Sequence, residues 1–279
     1  MAIPLSRRLD FSEIPQIDLS SLSGNQPDPE MIKQLASACT DVGFFYVRNH
    51  GVEAQLLQEL HEEAQRFFNQ STASKMEIKI NERMRGYLPL KYTSYEGEER
   101  AGRSHQEGFW MSYDRPLDSD FILDGPNLWP ANQPELKDAM QRYFNATEVL
   151  SLKLLRGFEL ALKQDEGTLS SLFKNPMSML KLNHYPHQES PENVNDIGVV
   201  PHSDSGAFTI LWQDDGSGLE IQKKSGEWIG APSIKDTFVI NLGNIMQMWT
   251  NGHFSSTPHR VINREQRERY SIPVFVNPS

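Results

Sequence analysis

Gly198-Val-Val-Pro-His-Ser-Asp-Ser-Gly-Ala-Phe-Thr-Ile-Leu-Trp212 holds two short apolar runs, Gly198 to His202 and Ala207 to Trp212, separated by a polar turn with a glycine. Runs this short, bounded by turn residues, read as buried strands rather than helices. The pattern continues on both sides, in Met179 to Tyr185 before it and in Leu219 to Gln222, Glu227 to Ile229, Thr237 to Asn241, His259 to Ile262 and Arg269 to Val276 after it. Asp215-Gly-Ser-Gly218, Lys224-Ser-Gly226 and Asn251-Gly252 lie between these runs, and turns of that kind join antiparallel strands. About eight short strands at close spacing are what a jelly roll or small barrel needs to hide its edges. Thr237 to His259 lacks any Asp, Glu, Lys or Arg, but Asn241, Asn244, Gln247, Asn251, His253 and Pro258 interrupt it, so it reads as buried strand and not as a membrane span.

Upstream the apolar period becomes helical. Asp28-Pro29 is a cap and first turn, and Met31, Ile32, Leu35, Ala36, Cys39 and Val42 follow at helical spacing until Gly43. Phe44 to Val47 reads as a buried strand. Leu56, Leu57, Leu60, Ala64, Phe67 and Phe68 mark a second helix, and a long third one starts near Pro134 and carries Leu136, Met140, Phe144, Leu150, Leu154, Phe158 and Ala161. Residues 81–130 read as irregular. The expectation is an α+β chain in which a helix-rich region, residues 1–174, packs on a β core, residues 175–279, as one integrated unit.

Composition excludes several classes. With a single cysteine in 279 residues there is no disulfide scaffold, and Cys39 reads as a small buried hydrophobe. The net charge of −10 repels polyphosphates, so no nucleic-acid partner is expected. The basic cluster Arg260, Arg264, Arg267 and Arg269 is interrupted by Glu265 and Glu268. Met1 to Asp10 holds no apolar core of signal-peptide length, so a cytoplasmic protein with no membrane partner is expected. Nothing in the sequence sets an oligomeric state.

At the end of the first strand quoted above, alternation puts His202 and Asp204 on one face and Ser203 on the other. Such a triplet alone is within reach of chance. A second histidine at the start of a later strand, His259, gives it weight, because two imidazoles and one carboxylate make the facial triad of non-haem iron(II), with positions left open on the metal. A zinc hydrolase uses the same ligands, so ligand type does not choose the metal. His253 follows the Asn251-Gly252 turn and reads as exposed, while His50, His61, His105, His184 and His187 read as structural. On the next strand Arg269 and Ser271 share a face, and a guanidinium beside a hydroxyl makes a clamp for a carboxylate. Asn183 and Tyr185 share a face too, and the Tyr185 phenol can donate to the same carboxylate.

Asp41-Val-Gly-Phe-Phe-Tyr-Val-Arg-Asn-His-Gly51, Asn183-His-Tyr-Pro186, His202-Ser-Asp204, Gly218-Leu-Glu-Ile221, Asn241-Leu-Gly243, His259-Arg-Val261 and Arg269-Tyr-Ser271 follow one another in a familiar order. In these stretches the chain resembles the iron(II)- and 2-oxoglutarate-dependent oxygenases, in the soluble group similar to isopenicillin N synthase and the plant flavonoid and gibberellin oxygenases. The resemblance implies a double-stranded β-helix with iron at its open mouth. It implies that His202, Asp204 and His259 hold the metal and that Arg269 and Ser271, helped by Tyr185 and Asn183, bind the distal carboxylate of 2-oxoglutarate. The implied activity is hydroxylation or desaturation of a small molecule with O2, yielding succinate and carbon dioxide, with ascorbate as an added reductant. Two alternatives stay open: an oxidase of the isopenicillin N synthase type that needs no 2-oxoglutarate, and a non-catalytic jelly roll that binds a small molecule.

One departure concerns Gly243-Asn244, where relatives commonly carry Gly-Asp, so a supporting carboxylate is missing and other partners must orient the metal ligands. Candidate substrate-wall residues, drawn from the irregular segment and the barrel mouth, are Arg85, Tyr87, Arg103, Phe109, Phe208 and Trp249. The chain ends eight residues beyond Ser271, where family members usually continue into a segment that partly covers the substrate pocket. The expectation is either an open mouth or a tail beyond Ser279.

Overall fold

The computed structural model describes residues 14–24, 26–90, 104–117, 121–189, 197–265 and 267–279. A short strand, β1 (Gln16–Asp18), leads into α1 (Pro29–Ser37), whose cap is Asp28, with its carboxylate accepting from the Glu30 amide at 3.0 Å. The helix runs on as a π turn, Ala38–Val42, to Gly43 at φ 71°; a Cβ there would lie 2.0 Å from the Ser255 carbonyl oxygen, so only glycine fits. Then come β2 (Phe44–Arg48), α2 (Ala54–Phe68), α3 (Thr72–Met76), β3 (Gly86–Leu88), β4 (Glu107–Ser112) and the long α4 (Pro134–Ala161). The rest of the chain is β5 (Met179–Tyr185), β6 (Val199–His202), β7 (Phe208–Gln213), β8 (Leu219–Gln222), β9 (Trp228–Gly230), β10 (Phe238–Leu242), α5 (Asn244–Trp249), β11 (His259–Val261) and β12 (Arg269–Val276).

The strands form two sheets. The larger has the order β1-β2-β10-β7-β12-β5-β4-β3, and the smaller β6-β11-β8-β9. β1 and β2 run parallel, and the other named neighbours are antiparallel. Alternation on the central strands sorts the side chains. Leu180, Leu182, Ile210, Ile240, Ile272 and Val274 join the main core beneath α1, α2 and α4. On the opposite face Tyr46, Tyr185 and Val239 meet Leu219, Ile221 and Val261 of the smaller sheet. The main core faces the helices and the second cluster fills the space between sheets, which is where the polar cavity described below opens.

Two readings of the sequence need correction, and two short elements went unread. Residues 81–130 are not wholly irregular, since β3 and β4 lie among them and extend the larger sheet beyond β5. β3 is only three residues long and β4 opens on the charged Glu107, so neither shows a clear period. The run from Thr237 to His259 is a strand only as far as Leu242. Gly243 approaches the Gly206 carbonyl so closely that a Cβ would lie 2.2 Å from its oxygen, and the chain then turns into α5, with Met246 buried and Met248 exposed. β1 and α3, of three and five residues, were too short to show any period. Among the described residues no helix is long and apolar enough to cross a membrane.

Glu107 also anchors a buried charge network on the helix side of the sheet. Lys75 Nζ donates to its Oε2 at 2.8 Å, the Tyr87 hydroxyl donates to the same oxygen, and His184 Nδ1 donates to Oε1 at 2.7 Å. Glu107→Leu leaves a lysine and an imidazole without their acceptor in the core. The expected loss is about 3–5 kcal/mol of stability, read from denaturant unfolding with the m-value unchanged.

Candidate metal centre

His202 closes β6 and His259 opens β11, and the two are register partners with ring centroids 4.3 Å apart. Asp204 follows two residues after β6 and is buried. Its Oδ2 accepts from Thr209 Oγ1 at 2.5 Å and from Asn241 Nδ2 at 2.7 Å. The other oxygen, Oδ1, therefore faces His202 Nε2 at 3.5 Å and His259 Nε2 at 3.7 Å. One ligand atom from each of the three residues lies within 4.8 Å of the others, and among the described residues no other trio of His, Cys, Asp or Glu meets that condition.

The tautomers follow from the second nitrogens. His202 Nδ1 stands 2.9 Å from the Val200 carbonyl oxygen, and His259 Nδ1 3.3 Å from that of Thr257. A carbonyl only accepts, so each Nδ1 carries the proton and each Nε2 has its lone pair free for a cation. Phe44 packs edge-on against the His259 ring at 5.2 Å and fixes its plane. Burial holds His259 down at about 4. Enclosure opposes the charged form of His202 as well, but the Asp204 carboxylate outweighs it and holds His202 above its ordinary value. Burial likewise works against ionised Asp204, yet His202, His259, Thr209 and Asn241 together hold it well below the usual carboxylate range. At neutral pH the site thus presents an anionic oxygen and a neutral His259 nitrogen, the charge state a divalent cation needs. Thr209 and Asn241 fix the carboxylate from behind, while the Asn244 amide donates to the Asp204 backbone carbonyl at 2.8 Å.

The same cavity, about 150 Å³ in volume, reaches Arg269, Ser271, Asn183 and Tyr185. Arg269 pairs in register with Tyr185, and Ser271 with Asn183, so the four side chains stand together on adjoining strands. The Arg269 guanidinium is 1% exposed and lies 4.8 Å from the Tyr185 ring centre, with Nη2 donating to Gln213 Oε1 at 2.7 Å. Its Nε and Nη1 have no acceptor, and neither does Asn183 Oδ1 have a donor, although Asn183 Nδ2 donates to Ser271 Oγ at 3.3 Å. Buried guanidinium N–H groups without an acceptor are costly. A carboxylate entering the cavity would satisfy both, so the residues present fit the diacid as well as the metal.

The substrate-wall expectations fare differently. Arg85 is buried and donates to the carbonyls of Arg83, Met84 and Leu123. Tyr87 is held by Glu107, Phe109 packs on Phe67 and Trp129, and Phe208 packs on Phe158. Trp249 lies on α5 against Phe173. None of these five lines the cavity, because alternation turns the strand residues towards the helices and Arg85 is engaged by backbone oxygens. Arg103 lies outside the described residues. His253 is exposed, as its turn position implies. The sequence reading passed over Thr209, Gln213 and Lys181; Thr209 and Lys181 line the cavity, and Gln213 holds Arg269 from behind. Alternation could have found Lys181, two residues before Asn183 on the same strand face.

Comparison with known proteins gives this geometry a context. Residues 14–132 match the family described as non-haem dioxygenase in morphine synthesis N-terminal, and residues 176–278 match the 2OG-Fe(II) oxygenase superfamily. Homoarginine-6-hydroxylase 2-ODD-C23 of Glycine max is 36% identical across 95% of this chain and 86% of its own length. The 2-oxoglutarate-dependent dioxygenase caaD of Aspergillus niger is 33% identical across 94% and 84%. Among solved structures, a full-length Neurospora crassa protein in complex with alpha-KG is similar at a TM-score of 0.83 and 26% identity, covering 95% of this chain and 85% of that one. JOX2 in complex with 2OG, Fe and JA is similar at 0.82 and 28%, covering 99% and 76%. Kinship at this level runs through both halves of the sequence and through both sheets: the chain belongs to the iron(II)- and 2-oxoglutarate-dependent oxygenases and is a dioxygenase with their jelly-roll core.

Proposed function

We propose that His202, Asp204 and His259 hold the iron(II), that Arg269 and Ser271 with Tyr185 and Asn183 seat the distal carboxylate of 2-oxoglutarate, and that the enzyme hydroxylates or desaturates a small molecule. The observation that carries this reading is that Arg269, buried with two donors unsatisfied, lines the cavity that the three ligand residues also line. Iron bound there would supply the dioxygen chemistry, in which one oxygen atom enters succinate as 2-oxoglutarate releases carbon dioxide and the other enters the hydroxylated product, or water when the substrate is desaturated. The protein's part is positional. Asp204, tied from behind by Thr209 and Asn241, offers one oxygen in a fixed direction. Arg269 is held by Gln213 and Tyr185 and keeps two donors for the diacid, and Val199, Leu211 and Val261 add apolar walls to the cavity.

Anaerobic addition of iron(II) and then 2-oxoglutarate is expected to give a weak visible charge-transfer band, and admission of air to give succinate. Oxygen uptake with a substrate but without 2-oxoglutarate would instead show the oxidase reaction, and absence of both band and succinate would remove the proposal. Homoarginine, after which the Glycine max relative is named, is the first substrate to try.

A further inference from the structure

Lys181 stands on β5 in the alternating row that carries Asn183 and Tyr185, and its side chain enters the same cavity. It is 6% exposed, and among the described residues no carboxylate pairs with it. Its ammonium lies 5.1 Å from the ring centre of Trp110, its register partner on β4. The stem crosses Gly108, the partner of Asn183, where a Cβ would lie 2.7 Å from Lys181 Cε, so glycine at that position makes room for the lysine. Burial alone pulls the ammonium down to about 7, the mark of a cation that the empty protein does not compensate.

Charge balance says what would compensate it. The two charges of iron(II) and the one on Arg269 are matched by Asp204 and by both carboxylates of 2-oxoglutarate. Lys181 is left over from this balance, and a further carboxylate beside it in the same cavity would hold its proton and match the charge. We propose that Lys181 anchors the prime substrate by an ion pair, and that this substrate is a small molecule bearing a carboxylate. The role rests on the assignment of iron and 2-oxoglutarate to the adjoining residues.

The test uses wild type, Lys181→Met and Lys181→Arg, each loaded anaerobically with iron(II) and 2-oxoglutarate, with affinities read from the charge-transfer band. The probes are homoarginine, phenylacetate and octanoate, each beside its primary amide, with thymine as the neutral control. At least one acid is expected to bind wild type ~10-fold or more tightly than its amide. Lys181→Met is expected to weaken that acid by ~10- to 100-fold, as loss of a charge-assisted hydrogen bond should, while Lys181→Arg keeps part of the preference. The affinity for 2-oxoglutarate should stay within about twofold in Lys181→Met, which also shows that the variant is folded. A tenfold loss of 2-oxoglutarate affinity in that variant would hand Lys181 to the cosubstrate and overturn the proposal, as would a normal band with no acid preferred over its amide. A wild type that gives no band overturns the iron and 2-oxoglutarate assignment first, and the role of Lys181 with it.

Discussion

Asp204→Ala is expected to abolish succinate formation and to weaken binding of iron(II), or of manganese(II) as a stable substitute, by well over ~100-fold. Removal of a group that only supports a ligand typically costs 10- to 100-fold, and on the proposed assignment Asp204 is a ligand itself. Asn241→Leu and Thr209→Val supply that lesser scale within the same site, because each leaves the carboxylate in place but frees its rear oxygen to swing. The order of effects is the diagnostic. If Asp204→Ala bound metal no worse than Asn241→Leu, the three residues would not be the ligand set. Metal-free Asp204→Ala should remain folded, with a loss of about 1–3 kcal/mol from the donors of Thr209 and Asn241 left without their acceptor.

Arg269→Met is expected to separate stability from binding. In the absence of ligand the guanidinium keeps Nε and Nη1 without acceptors in a site that is almost fully buried, so an unbranched apolar side chain should leave the melting temperature unchanged or raise it. Affinity for 2-oxoglutarate should fall with the loss of two charge-assisted hydrogen bonds, about 3–6 kcal/mol or ~10²–10⁴-fold. Arg269→Lys restores the charge without the planar fork and should recover only part of the affinity. Titration of the charge-transfer band beside thermal melts of the ligand-free protein reads both quantities. A variant that melted much lower but bound 2-oxoglutarate normally would make Arg269 a structural residue.

The strands were legible in the sequence because each central one is apolar on one face only in part of its length, and turn residues punctuate the rest. Met179 to Tyr185, Leu219 to Gln222 and Arg269 to Val276 match their strands to the residue. His202, Asp204 and His259 could be grouped because strand ends on one side of a small sheet come together whatever the loops do. The substrate wall was not legible. Whether Phe109 or Phe208 faces helices or cavity depends on how its strand joins the sheet, and β4, which opens on the charged Glu107, shows no clear period. Arg85 illustrates a different limit, since its backbone carbonyl partners at Arg83 and Leu123 carry no side-chain signal. Lys181 was passed over for a different reason: alternation sets it beside Asn183, but a lysine in a strand reads as a solvent-facing residue, and here it is buried.

The place of β12 in the larger sheet has a consequence for how the protein is made. It lies between β7 and β5, so Ser271 must find Gln213 on one side and Asn183, 88 residues earlier, on the other. Pairings so distant along the chain form slowly, and during synthesis the strands before β12 emerge first. Until it arrives, the sheet exists as two fragments, β1-β2-β10-β7 and β5-β4-β3, each with an open edge that invites pairing with another chain. Insertion of β12 closes both edges and delivers Arg269 and Ser271 in the same event. A nascent chain therefore closes both open edges and places Arg269 and Ser271 in the cavity in a single late step.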